Sequence, residues 1–236
     1  MLRIIFVSFI SSLSFFGFSQ DLTGNKLLQN AIDYHDPNNN WNSFNGEFLV
    51  TMETPNKSER RSKININLPE EVFGLSVEKD ENTMEYFLKG QDCELRLNGS
   101  VEISEAQQKT INLNCERGFM MKDYYTYLYG LPMKLKDPGT IIDPIVTRRK
   151  FKNKEYLVLK VTYAEGVGGD TWYFYFDPKT YAMEVYQFFH DQSKNDGEYI
   201  LLSGVETIND IKMPKTRAWY YNKDHTYLGT DILGAK

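Results

Sequence analysis

The chain is predicted to fold as a mainly antiparallel α+β protein, a curved sheet with one helix at its mouth. Three observations carry this. Period-two alternation recurs from residue 47 to the C-terminal region, with turn signals at hairpin spacing. Strands spaced this closely pair as up-and-down neighbours. One segment, Glu116 to Gly139, breaks the alternation. It reads as a helix stopped near Gly130 and Pro132, and its apolar residues (Phe119, Met120, Met121, Tyr124, Tyr125, Tyr127, Leu128, Tyr129) wrap most of the way round it. A helix apolar on nearly all sides must be covered on nearly all sides, and the hollow of a bowed sheet is a natural cover.

The elements follow in order. Residues 1–19 read as a signal peptide, with Arg3 as the positive n-region, an apolar run from Ile4 to Phe16, and small Gly17 and Ser19 before a cut at Gln20. No Cys follows that run, so no lipid attachment is expected there. The apolar run is short for a membrane span, and no stable membrane insertion is expected after its removal. Residues 20–236 suit one core and form a single domain, without linker or repeat.

Gly24 to His35 reads as a first helix, with Thr23 as its cap and Leu27, Leu28, Ala31, Ile32 and His35 at helical spacing. His35, in the last turn, is placed to bond the helix's final carbonyls. Asp36-Pro37 and three Asn end the helix. Strands are expected near Phe48–Met52, Ile64–Leu68, Val72–Val77, Thr83–Lys89 and Asp92–Leu97. After the aromatic helix comes an irregular connection from Asp137-Pro138-Gly139. Further strands are expected at Ile145–Phe151, Tyr156–Tyr163, Thr171–Phe176, Met183–Phe189, Tyr199–Glu206, Lys215–Tyr221 and Thr226–Asp231. Several are apolar on both faces, Thr171–Phe176 above all. That pattern calls for a second cover or a concave surface kept for a ligand.

Composition excludes some functions. Net charge is −5, or −6 once Arg3 is removed, and no long basic block exists, so nucleic acid is not a partner. Apolar residues are 41% and aromatics 14%, so the chain is globular. The 16 tyrosines suit a site apolar along its walls and wet at its rim. Cys93 shares a strand face with Leu95 and Leu97, and Cys115 is read on a strand face with Ile111 and Leu113. Both thiols then point inward, which permits a disulfide and equally permits two buried free thiols.

Chemistry is sparse. His35, His190 and His225 have no metal-ligand spacing, and no metal or other cofactor is expected. Glu47, Glu184 and Asp170 lie near apolar strands, as surface carboxylates commonly do. Gly166 to Gly169 lies between strands with no helix after it, so it is a turn and not a phosphate loop. Arg148-Arg149-Lys150 reads as a solvated edge, with orientation of a polar ligand head as the sharper alternative.

The run YGLPMKLKDPG (Tyr129–Gly139) is similar to a landmark of an uncharacterised exported family of Gram-negative bacteria, in which a helix and a Pro step precede L-x-D-P-G. Lys154–Phe188, Gly197–Tyr221 and YHDPNNNW (Tyr34–Trp41) resemble that family too. The family in turn resembles the LolA-like superfamily of outer-membrane lipoprotein carriers and their lipid-binding relatives. The resemblance implies an incomplete (half) β-barrel closed by helices, with an apolar cavity for acyl chains and neither cofactor nor covalent chemistry. The signal-peptide reading implies a periplasmic or secreted location.

Together these readings predict a binding protein, not an enzyme, for an apolar small molecule, a lipid or a lipidated protein segment. Phe119, Met120, Tyr124, Tyr127 and Leu128 would form the lid. Leu157, Leu159, Trp172, Phe174, Phe176 and Trp219 would form the wall. The alternative is an interaction protein whose cup is filled by its own side chains; a hydrolase is the third reading.

Overall fold

The computed structural model describes residues 22–235, so the signal-peptide reading falls outside the described residues. In chain order the elements are α1 (Gly24–His35), β1 (Asn45–Glu53), β2 (Arg60–Asn67), β3 (Val72–Lys79), β4 (Asn82–Lys89), β5 (Asp92–Leu97), α2 (Glu105–Ile111) and α3 (Cys115–Tyr129). Then come β6 (Thr140–Ile142), β7 (Thr147–Phe151), β8 (Lys154–Tyr163), β9 (Thr171–Phe176), β10 (Met183–Phe189), β11 (Glu198–Ile208), β12 (Ile211–Tyr221) and β13 (Tyr227–Ala235).

All thirteen strands belong to one antiparallel sheet, ordered β5-β4-β3-β2-β1-β13-β12-β11-β10-β9-β8-β6, with β7 beside the first half of β8. The chain's first and last strands are neighbours in the middle, Val50 opposite Leu233. The sheet does not close: β5 forms one edge, β6 and β7 the other. This is an incomplete barrel with helices against its hollow, as the sequence predicts.

Alternation decides which side chains face the hollow. Phe48 and Val50 on β1 pair with Ile64 and Ser62 on β2, and their rows continue to Leu75 and Val77 on β3. At the other end Phe174 pairs with Leu159 and Tyr186, and Phe176 with Leu157. Phe48, Ile64, Leu159, Phe174 and Phe176 are all fully buried. Side chains of this kind contribute about 1.5–3 kcal/mol each when fully buried.

Helix α1 is capped by the Thr23 hydroxyl, which accepts from the Lys26 N–H. It buries its predicted stripe against β8 and β12. Next to it, the buried Asp36 carboxylate accepts from the N–H groups of Asn40 and Trp41, both at 2.8 Å, and so holds a single 3-10 turn at Asn40–Ser43. That contact gives the YHDPNNNW run its physical meaning. His35 does bond a carbonyl, but not one of its own helix. Its Nδ1 lies 2.6 Å from the Lys212 oxygen on β12, and its Nε2 accepts the Met183 N–H of β10 at 3.0 Å. It therefore pins α1 to the sheet.

Residues 111–115 differ from the strand reading, and 105–111, where no element is expected, form a helix. Glu105–Ile111 is a helix with a capping box from Ser104 and Gln107, Asn112 ends it in the left-handed region, and Cys115 opens α3. None of the α2 residues is buried, so the helix left no apolar stripe in the sequence. Cys115 and Cys93 are joined in a disulfide that ties the start of α3 to the edge strand β5. The helix ends where the sequence predicts, at Tyr129 with Gly130 as its C-cap, although Gly130 has φ −88° and does not use the left-handed conformation. Its lack of a side chain makes room for the Trp41 ring, which an added Cβ would overlap. The chain then turns through a cis Leu131–Pro132 bond and a 3-10 turn at Met133–Lys136.

The doubly apolar strands have their second cover. On the convex face Phe151, at the β7–β8 turn, packs its ring 5.4 Å from both Tyr175 and Tyr199. The Arg149 guanidinium lies 4.4 Å over Tyr173. Cations on exposed aromatic faces contribute about 0.5–1 kcal/mol each. Arg148, Arg149 and Lys150 are thus an exposed edge strand, as the solvated-edge reading has it. Among the described residues no helix is long and apolar enough to cross a membrane.

Candidate functional site

Helix α3 crosses the hollow with Met121, Tyr125, Leu128 and Tyr129 turned down into the core. On its flank toward β8 and β9 a cleft of about 600 Å³ remains. Its aromatic walls are Tyr124 and Tyr127 of α3, Tyr163 at the end of β8 and Trp172 at the start of β9; Pro138 and Val167 complete the apolar lining. The volume is that of an ordinary small-molecule site. The Tyr127 and Tyr163 hydroxyls bond each other across the cleft floor. Burial, before any charge, pushes both phenols up, so they stay neutral donors and acceptors. Trp172 is held by stacking on Phe188 at 4.9 Å and by an edge contact with Tyr127 at 5.7 Å.

The rim is charged in both signs. Lys134 pairs with Asp137, and Asp170 accepts from His190 at 2.7 Å. That bond raises the His190 imidazole above its usual value. Lys122 and Asp123 complete the rim. An apolar pocket with a mixed polar rim can take an apolar body and leave a polar end in water. Among the described residues, no group of three or more His, Cys, Asp and Glu side chains is placed to hold a metal ion.

Under α3 the hollow is neither empty nor wholly apolar. Arg217 and Asp231, opposite each other on β12 and β13, are each 1% exposed. The Arg217 guanidinium lies 3.9 Å over the Tyr129 ring, and donates to the carbonyls of Pro214 (3.0 Å) and Leu128 (3.4 Å). Burial raises the Asp231 carboxyl, and the charges of Arg217 and Arg60 oppose that rise. Around the pair, the hydroxyls of Tyr125, Tyr129 and Tyr186, Arg217 Nε, Trp219 Nε1 and one Asp231 oxygen are buried without a partner at hydrogen-bond geometry. They face one another rather than hydrocarbon: Tyr125 lies toward Ser62 and Arg60, Tyr186 toward Arg217, and Trp219 toward Asp231.

The expected site residues divide accordingly. Tyr124, Tyr127 and Trp172 line the cleft. Trp219 lies behind it, stacked on Tyr124 at 6.5 Å and edge-on to Tyr186. Phe119 is partly buried against the core. Leu128, Leu157, Leu159, Phe174 and Phe176 are packed in the core and are not among the cleft's walls. Met120 is corrected from lid to surface: it is 53% exposed, because the helical turn that directs Met121 inward directs Met120 away. Tyr163 and Val167 were missed, and Asp170 is read from the sequence only as a surface carboxylate. Tyr163 continues the inward parity of Leu157, Leu159 and Val161, a signal present in the sequence. Val167 enters through the Gly166–Gly169 turn, whose placement no periodicity reveals.

Comparison with solved structures bears on the fold. A LolA superfamily protein from Nitrosomonas europaea is similar over 90% of this chain and 91% of that one, with a TM-score of 0.52 at 11% identity. A DUF1329 family protein from Desulfovibrio piger is similar over 89% and 91% with a TM-score of 0.49 at 8% identity. The first of these supports a LolA-like fold; at such identities neither speaks to function. No curated protein matches this sequence. Residues 3–234 match the family described as "Family of unknown function (DUF6503)", and the chain belongs to that family.

Proposed function

We propose that this chain is an exported binding protein that holds an apolar ligand, such as an acyl chain, in the cleft between α3 and the β8–β9 edge, without covalent chemistry. The observation that carries this is the 600 Å³ space walled by Tyr124, Tyr127, Tyr163 and Trp172 on a LolA-like frame. Burial of apolar surface at roughly 25 cal/mol per Å² drives the association. The second reading, an interaction protein with a self-filled cup, draws support from Tyr125, Leu128 and Tyr129, which occupy the centre of the hollow.

Titration of the purified protein with dodecanol, followed by calorimetry, separates the two. Saturable binding supports the ligand reading. Val167→Glu, at an exposed position on the cleft wall, is expected to weaken it roughly tenfold by placing a charge against the chain. No binding by the wild type, or binding indifferent to Val167→Glu, refutes it.

A further inference from the structure

On the opposite flank of α3 lies a second, deeper-set cleft of about 370 Å³. On β3 and β4 it is lined by Leu75, Val77, Met84 and Tyr86, of which Leu75, Val77 and Tyr86 are themselves buried, with Asn82 at the start of β4. Its roof is Ile111 of α2 and Met121 of α3. The entrance differs from that of the first cleft: Arg60, Lys79 and Arg117 converge on it against the single carboxylate Asp80. Asp80 is already engaged, accepting from the Ser58 hydroxyl at 2.6 Å. Among the described residues no ion pair joins Arg60, Lys79 or Arg117 to a carboxylate. Arg60 is the hinge of the arrangement. It faces inward beside Ser62, against the Tyr125 hydroxyl and within range of the Asp231 charge, and its buried Nε makes no hydrogen bond of its own.

Three cations around a cleft whose one carboxylate is engaged, with apolar groups of Leu75, Val77, Met84, Ile111 and Met121 in the same lining, complement one chemistry. We propose that this cleft binds a single-chain amphiphile with an anionic oxygen head, a carboxylate or a phosphate. Arg60 and Arg117 receive the head, and Leu75, Val77, Met84, Ile111 and Met121 cover the tail. Arg presents its N–H groups in a planar fork that matches such heads. This site is separate from the cleft assigned above, is marked off by the anionic head it requires, and stands or falls apart from it.

The test titrates the purified protein with laurate, dodecyl phosphate and dodecanol, each below its aggregation concentration. The variants are Arg60→Gln, Arg117→Gln and Val167→Glu, with Arg61→Gln as a control on the solvent-exposed neighbour that pairs with Glu59. Expected is saturable binding of at least one anionic probe, weakened roughly tenfold by Arg60→Gln and by Arg117→Gln, a loss typical of charged hydrogen bonds. Arg61→Gln and Val167→Glu should leave that binding unchanged. The tighter anionic probe identifies the head. Arg60→Lys, which keeps the charge, should recover part of the affinity and guards against a folding artefact. The proposal is overturned if neither anionic probe binds, or if both arginine variants bind the anionic probes as the wild type does. Loss of dodecanol binding alone would sink the first cleft and leave this one standing.

Discussion

His35 makes the fold pH-sensitive in a way that can be measured. It is 3% exposed, with Nδ1 against the Lys212 carbonyl and Nε2 accepting the Met183 N–H. A ring with one nitrogen facing an acceptor and the other accepting must be the neutral Nδ1–H tautomer. A second proton would sit at Nε2, where the Met183 N–H already points. Burial is the main cause that lowers the imidazole from 6.5 to about 4, with the charges of Lys212 and Arg217 adding to it and the Lys212 carbonyl opposing. The folded value lies below the unfolded one. The unfolded state therefore binds more protons between the two, and stability rises with pH across that window. His35's contribution is full above 6.5 and is lost as pH falls through about 4. The loss amounts to roughly 2 kcal/mol between pH 7.5 and pH 5, and roughly 3 kcal/mol by pH 4. His190, Glu198 and Asp231 are raised, so their contributions run in the opposite sense. The informative quantity is consequently the wild type minus His35→Gln. Urea unfolding at about pH 7.5, 6 and 5, at constant m, should show a pH dependence in the wild type that the variant lacks by roughly 2 kcal/mol. Equal slopes in the two proteins would refute the neutral, doubly bonded histidine.

Three other outcomes are expected. Replacing Cys93 and Cys115 by Ala opens a loop of sequence separation 22, which chain-entropy reasoning values at about 3 kcal/mol; hydrogen exchange should quicken first in α3. Arg217→Met strands the Asp231 carboxylate and should cost about 3–5 kcal/mol in denaturant unfolding, whereas adding Asp231→Leu should return much of it; a double variant no better than the single would argue against a coupled pair. Gly130→Ala should destabilise by about 1–3 kcal/mol through overlap with Trp41, although helix propensity alone predicts a gain; a neutral or raised melting temperature would show that the ring can move aside.

Much of the fold could be read from alternation, because a strand with one buried face must repeat every two residues. The pairing of β1 with β13 could not, since nothing in either strand names a partner so distant in sequence. Helix α2 was hidden for a different reason. Its one local signal is the capping box of Ser104 with Gln107, and with no residue buried it has no stripe. Around the site, Tyr124, Tyr127 and Trp172 stood out as large aromatics at odds with a one-sided pattern. The charged interior was legible too and was passed over. Arg217 and Asp231 occupy the same parity as Trp219 and Leu233, so each is a charge on an apolar face. The convergence of Arg60 from β2 with Arg117 from α3 depends on how the helix crosses the sheet, which local sequence does not encode.

The interior polarity bears on where a ligand can go. An acyl chain laid under the middle of α3 would have to displace Tyr125, Leu128 and Tyr129 and lie against Arg217 and Asp231. Displacing Tyr129 also removes the ring over which the Arg217 guanidinium sits at 3.9 Å, and displacing Leu128 removes a carbonyl to which that guanidinium donates. Hydrocarbon offers nothing to replace either contact, so central occupancy carries a penalty that increases with each polar group left bare. On the flanks, by contrast, a ligand leaves the Arg217 contacts intact: one flank is walled by Tyr124, Tyr127, Tyr163 and Trp172, the other by a mixed lining of Leu75, Val77, Met84, Tyr86 and Met121 beside Arg60 and Arg117. The physical expectation is two ligand positions beside α3, not one beneath it. The disulfide at its first turn and the Arg217 contact at its last hold the helix between them.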